Sequence, residues 1–197
     1  VAKAASAVPA IAYRAKALKN LTNQIGVYIL ADLDNVPIYV GQSTDGIRAR
    51  VNRHLTSARS DIIGNRQLDV WEVAYVWAFP VSARSEIGPL ESRLIHHYDP
   101  KSQLVNGTTP VKTKSAGDVP TPSQVVQVLS DDDLKERLDP AQRLPRQANH
   151  YARIVDHFLT VKSSKQIARA MDAHFDRLKK YHASLLGKAT DDGATED

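Results

Sequence analysis

Apolar and polar positions along this chain switch between two periods, and the switches mark out its elements. Residues 9–20 open on a proline followed by good helix formers. They predict a short amphipathic helix with Ile11, Ala15 and Leu18 on one side. From Gly26 the run GVYILADL is apolar and β-branched, DLDNVP has turn composition, and IYV follows. Strand, polar turn and strand predict a β-hairpin with Tyr28 on its first arm and Tyr39 on its second. After Gly41 the polar QSTD leads into GIRARVNRHLTSA, where Ile47, Val51 and Leu55 recur at helical spacing. Arg50 and His54 have the same spacing and share the neighbouring face of that helix.

Residues 59–69 read as an irregular connection, and VWEVAYVWAFPV as a third strand ending near Pro80. SEIGPLESRLIHHY predicts a second helix, capped around Ser85 and stopped before Pro100. Leu90, Leu94 and Tyr98 line one face, with Glu91 beside it. Asn106 follows in a turn-prone stretch, and residues 107–124 have the Pro, Gly, Ser and Thr content of a linker. In TPSQVVQVL, Thr121 or Ser123 reads as a helix cap before Val125, Val126 and Leu129. DDDLKERL places acids at a helix start, and residues 147–160 and 163–186 carry helical periodicity. Ile167, Met171, Phe175 and Leu178 form the stripe expected to pack as core or against a partner helix. The expected fold is α+β: a small three-stranded antiparallel sheet flanked by helices, with a helical C-terminal extension. The expected divisions are a basic N-terminal helix (1–23), a sheet-bearing domain (24–112), a helical extension (113–190) and an acidic tail (191–197).

Composition narrows the class. Of 197 residues 42% are hydrophobic and 24% charged, as in a globular protein. No apolar run is long enough to span a bilayer, so no membrane is expected, and the Ala-rich start reads as a mature terminus. Cysteine is absent, which excludes disulfides and thiolate metal sites, and a cytoplasmic location is expected. The net charge of +4 comes from residues 1–30, where Lys3, Arg14, Lys16 and Lys19 face no acids. A second basic patch, Arg48 to Arg66, holds Arg48, Arg50, Arg53, Arg59 and Arg66 against Asp61. Patches of this kind suit phosphate contacts, although a solvated helix face has the same composition.

Taken singly, Tyr28, His54, Glu91 and Asn106 are ordinary packing, helix-face and turn residues. Their order is more telling. Gly26-Val27-Tyr28 and Tyr39-Val40-Gly41 stand about ten residues apart. Arg50 and His54 follow on a helix, then Glu91-Ser92-Arg93-Leu94-Ile95, Pro100 and Leu104-Val105-Asn106. Over residues 24–107 the chain resembles the GIY-YIG nucleases. It departs from them by an extra residue near Asp45-Gly46 and by Gln42 where lysine is frequent.

The resemblance implies endonucleolytic hydrolysis of phosphodiesters in double-stranded DNA, with Tyr28, Tyr39, Arg50, His54, Glu91 and Asn106 as the site. It implies Glu91 as the ligand of Mg²⁺ or Mn²⁺, a hard cation that would share its remaining positions between water and phosphate. Arg50 would offer its planar fork to the scissile phosphate. Tyr28 takes the general-base role by family likeness, His54 would accept or relay its proton, and Tyr39 would orient water or phosphate. Asn106 would brace the site through the backbone near the Glu91 helix. Gly41 fits a place where a side chain would crowd the helix or the DNA backbone. Arg48, Arg53, Arg59, Arg66, Lys101, Lys112 and Lys114 are candidate DNA contacts, which position the duplex without specifying sequence.

Cysteine nucleophiles, G-x-S-x-G, Walker and H-E-x-x-H motifs are absent, and His96-His97 point in different directions on one helix. A restriction-type enzyme is the leading expectation. A phage, mobile-element or repair nuclease that selects DNA structure, and an inactive DNA-binding module, stay open, as does a homodimer.

Overall fold

A computed structural model of the chain describes residues 7–56, 66–110 and 118–193. In chain order these form α1 (Ala7–Ala17), β1 (Gly26–Ala31), β2 (Pro37–Ser43), α2 (Ile47–Thr56), β3 (Tyr75–Pro80), α3 (Ile87–Tyr98), β4 (Gln124–Gln127), α4 (Asp131–Leu138), α5 (Pro140–Thr160) and α6 (Lys165–Gly193). The architecture is α+β: the antiparallel β1, β2 and β3 lie among helices, and a helical extension follows. Order in the sheet is β2-β1-β3-β4.

β4 corrects the reading of TPSQVVQVL as a helix start. Val125 and Val126 instead pair with Trp77 and Val76 of β3, so the sheet has a fourth strand from beyond the linker. Two β-branched residues between glutamines suit an extended edge strand as well as a short helical turn, and an open strand on β3 decides between them.

The β1–β2 hairpin closes through Asp32, whose side-chain carboxylate accepts from the backbone N–H of Asp34 and Val36 at 3.0 and 2.9 Å. Alternation along β1 then sends Tyr28 and Leu30 to one face of the sheet, and Val27 and Ile29 to the other. The first face packs on Ile47, Val51 and Leu55 of α2 and on Ala170 and Ala173 of α6. The second packs on Ile87, Leu90, Leu94 and Ile95 of α3. Helices carrying Arg50 and Glu91 thus approach one small sheet from opposite sides.

Two buried helix faces are displaced from their expected registers. In α1 and the turn after it the buried positions are Ala10, Arg14, Ala17 and Leu18, while Ile11 is 50% exposed. Arg14 donates to the carbonyls of Val70 and Val73 at 2.9 and 3.3 Å and stacks on Trp71. In α6 the buried face runs through Ile167, Ala170, Ala173, His174, Arg177 and Tyr181, and Phe175 lies 50% exposed. Both shifts have one physical cause: a buried polar side chain, satisfied by partners far off in sequence, occupies a position that composition assigns to solvent.

α5 and α6 are fastened to the base of the sheet by such a cluster. Arg143 of α5, 5% exposed, donates through Nε to Glu72 at 2.8 Å and through Nη1 to Asp34 at 2.8 Å. Arg146 and Gln147 reach the other Glu72 oxygen at 2.6 and 3.0 Å, and the Tyr181 hydroxyl donates to Glu72 at 3.1 Å. Burial raises the Glu72 pKa, and Arg143 and Arg146 oppose that rise. Buried charges this closely paired hold a geometry more than they add stability. Among the described residues no helix is long and apolar enough to cross a membrane.

Candidate active site

Tyr28 is fully buried in the middle of the sheet. Its cross-strand neighbours are Gly41 on β2 and Ala78 on β3, both small, and they leave the ring its space. A Cβ at Gly41 would stand 2.4 Å from both the Tyr28 hydroxyl and the ring carbon that bears it, and 2.8 Å from the Tyr39 ring. The glycine is therefore required by the two tyrosines, rather than by the helix or DNA backbone as its sequence setting suggested.

α2 is placed by segments on both sides of it. Its exposed first amides are met from the N-terminal side of β1: Ile47 donates to the Gln24 carbonyl at 2.9 Å, Arg48 to the Thr22 carbonyl at 3.0 Å, and Ala49 to the Asn23 side chain at 3.1 Å. Gly46 precedes them at φ +117, a conformation that suits glycine, and a side chain there would meet Asn23. Ile47, Val51 and Leu55 then fix the helix against the sheet.

With the helix so held, His54 is buried against both phenols. Its ring centroid lies 6.0 Å from that of Tyr28 and 6.1 Å from that of Tyr39, and the two tyrosine rings are 6.3 Å apart. Arg50, one turn earlier, acts on the Tyr28 hydroxyl by its charge and by a weak side-chain hydrogen bond. No protein group completes a hydrogen bond of normal geometry to that hydroxyl. A buried hydroxyl left in this state costs free energy unless something from outside uses it.

Glu91 is half-buried on α3, one residue past the buried Leu90. Burial raises its pKa above the ordinary glutamate value, and its charge is near enough to push the Tyr28 pKa upward. For Tyr28 burial is the largest cause of a pKa well above that of free tyrosine, Tyr39 adds to it, and Arg50 pulls it back. Among the described residues Glu91 makes no ion pair or hydrogen bond through its carboxylate. Nor do the described residues include a group of three or more His, Asp or Glu side chains able to cage a metal. A lone, half-buried, unpaired carboxylate fits one hard divalent cation whose other ligands are water and phosphate.

Asn106 lies outside β2 and binds it as a strand would. Its Oδ1 accepts from the Val40 N–H at 2.9 Å and its Nδ2 donates to the Val40 carbonyl at 2.7 Å. Val40 separates Tyr39 from Gly41, so this amide pins the backbone between them. The brace falls on the tyrosine strand.

Tyr28 thus has Tyr39 and His54 around its ring and feels the charges of Arg50 and Glu91, with Asn106 behind β2. Residues 24–104 match the family model described as the GIY-YIG catalytic domain. This segment is a GIY-YIG domain. Its boundaries enclose five of the six site residues named from sequence and stop just short of Asn106. No curated protein matches the chain.

The candidate DNA contacts of the GIY-YIG domain are placed unequally. Arg53 is exposed on α2, and Arg66 is exposed at φ +57 in the loop before β3. Arg48 is only half-exposed, because its guanidinium donates to the Lys19 carbonyl at 3.1 Å. Lys101 is exposed beyond the end of α3, with its Nζ 2.6 Å from His97 Nε2. Arg59, Lys112 and Lys114 lie outside the described residues.

Proposed function

We propose that the chain is a metal-dependent DNA endonuclease. The observation that carries this reading is the Tyr28 hydroxyl: buried, flanked by Gly41 and Ala78, held by no protein hydrogen bond of normal geometry, packed beside Tyr39 and His54, and within reach of the Arg50 guanidinium and the Glu91 charge. A structural tyrosine buried to this degree normally donates to a fixed partner. Here its polar neighbour is the Arg50 guanidinium, a phosphate-binding group, and the charge of Glu91 also reaches it.

Hydrolysis of a phosphodiester needs an activated water, charge stabilisation at phosphorus and help for the leaving 3′ oxygen. Glu91 would hold Mg²⁺ or Mn²⁺, which when bound would supply Lewis-acid stabilisation of the phosphate and of the departing alkoxide. Arg50 binds the scissile phosphate and opposes its growing negative charge. Tyr39, partly exposed, donates to water or phosphate and fixes its approach. Tyr28 is neutral in the free protein, since burial and Tyr39 raise its pKa. It acts as base only after its own proton has left, and the adjacent His54 imidazole is the acceptor. Asn106 holds β2 in register so that the two phenols keep their spacing.

Cleavage of mixed-sequence duplex DNA, with the ends mapped, tests the proposal. The purified chain is expected to nick or cut DNA with Mg²⁺ or Mn²⁺ and to stop on chelation. Ends at discrete sequences identify a restriction-type enzyme, and ends clustered at branches or distortions a structure-selective one. Intact DNA across methylated and unmethylated substrates, at every metal tried, removes the reading in favour of a binding module.

A further inference from the structure

α6 belongs to the helical extension, outside residues 24–104, yet its first turns seat loops that belong to the site. Arg169 is the centre of this contact. Its Nε donates to the backbone carbonyl of Asn106 at 3.1 Å, and its Nη2 pairs with the Asp99 carboxylate. Asp99 is the residue that ends α3, and the same carboxylate oxygen accepts from the Leu104 N–H at 3.0 Å. One guanidinium therefore ties the end of the Glu91 helix to the backbone of the residue that pins Val40. The neighbouring contact leaves little slack: a Cβ at Gly107 would stand 2.8 Å from Gln166 Cβ and 3.0 Å from Gln67 Nε2. The loop that carries Asn106 is wedged between β2 and the first turn of α6.

We infer that Arg169 is a positioning residue of the GIY-YIG site, acting through Asp99 and Asn106 to fix Glu91 against the Tyr28–Tyr39 pair. The inference rests on the nuclease reading above. It gives the C-terminal extension a part in turnover as well as in covering the sheet. Geometry makes arginine the required residue: a planar fork can serve a carboxylate and a carbonyl together, whereas a lysine ammonium on one stem satisfies one of them well. Loss of such a support displaces reacting groups by fractions of an ångström and acts on the chemical step, not on capture of DNA.

The test uses the full chain, ¹⁵N-labelled, as Arg169→Ala and Arg169→Lys. In Arg169→Ala kcat for DNA cleavage is expected to fall about 10- to 100-fold with KM near its wild-type value. The side-chain amide of Asn106, protected by Val40 in the wild type, should exchange with solvent more rapidly. Arg169→Lys is expected to regain stability through Asp99 but not to regain kcat. Wild-type kcat in Arg169→Ala overturns the inference, and so does full recovery of kcat by lysine. If Arg169→Ala does not fold, the kcat of Arg169→Lys decides in the same sense. If the wild-type chain cleaves no DNA, the nuclease reading fails separately and the Asn106 amide becomes the criterion. Faster exchange in the variant then supports the brace, and unchanged protection overturns it.

Discussion

Replacing Glu91 by alanine is expected to abolish cleavage while leaving the fold and DNA binding in place. In the proposed reaction Glu91 would be the carboxylate that holds the divalent cation, and among the described residues it has no cationic side chain to neutralise it. Removing that ligand would remove the stabilisation a bound cation would give the phosphoryl oxygens and the leaving alkoxide, a loss of at least about a thousandfold in rate, or about 4 kcal/mol. Stability should move the other way. Because burial raises the Glu91 pKa in the folded chain, ionised Glu91 opposes folding above the ordinary glutamate pKa, and the penalty is relieved as pH falls through the raised value. At neutral pH the alanine variant should melt at or above the wild-type temperature. Thermal unfolding, DNA affinity and single-turnover cleavage measured on one preparation check this. Near-normal turnover in Glu91→Ala would rule out the metal assignment.

Gly41→Ala adds only a methyl group, yet it is expected to be nearly as damaging to turnover. The new carbon would lie 2.4 Å from the Tyr28 hydroxyl, and Tyr28 cannot retreat because it is enclosed by the sheet and α2. Either the ring tilts out of line with His54, or β2 moves away from β1 and carries Tyr39 with it. Overpacking of this kind costs about 1–3 kcal/mol of stability. The displacement of a reacting group costs about a hundredfold in rate. DNA binding through Arg53 and the outer surfaces should persist. A Gly41→Ala chain that cleaves at the wild-type rate would mean that the Tyr28 hydroxyl takes no part in the reaction.

Much of this arrangement is legible in sequence, because it depends on short-range periodicity. The strands carrying Tyr28 and Tyr39, the helix with Arg50 and His54 four apart, and the helix with Glu91 beside Leu90 all follow from apolar spacing. What spacing cannot convey is which polar residues are buried. Composition assigns arginine to solvent, yet Arg14, Arg143 and Arg177 are each at least 92% covered in the fold. Their partners, such as Val70 for Arg14 and Glu72 for Arg143, are 56 and 71 residues away. The expected faces of α1 and α6 are out of register for that reason. β4 was missed on the same ground, since the edge of β3 that selects a strand there is itself a long-range feature. The metal's place and the tyrosine roles rest on the family likeness together with the pairing state of Glu91 and Tyr28.

Tyr28→Phe offers the most direct measurement of whether the buried phenol belongs to the chemistry. The substitution deletes one buried oxygen that makes no protein hydrogen bond of normal geometry and has only a weak interaction with Arg50 to lose, so the folded chain should be about as stable as the wild type. Single-turnover cleavage with Mg²⁺ should nevertheless fall by about 10²- to 10⁴-fold, the range lost with a general acid–base group. A variant that is equally stable and inert is the predicted result. A variant that loses stability but cuts DNA at the wild-type rate would make Tyr28 a packing residue and contradict the site.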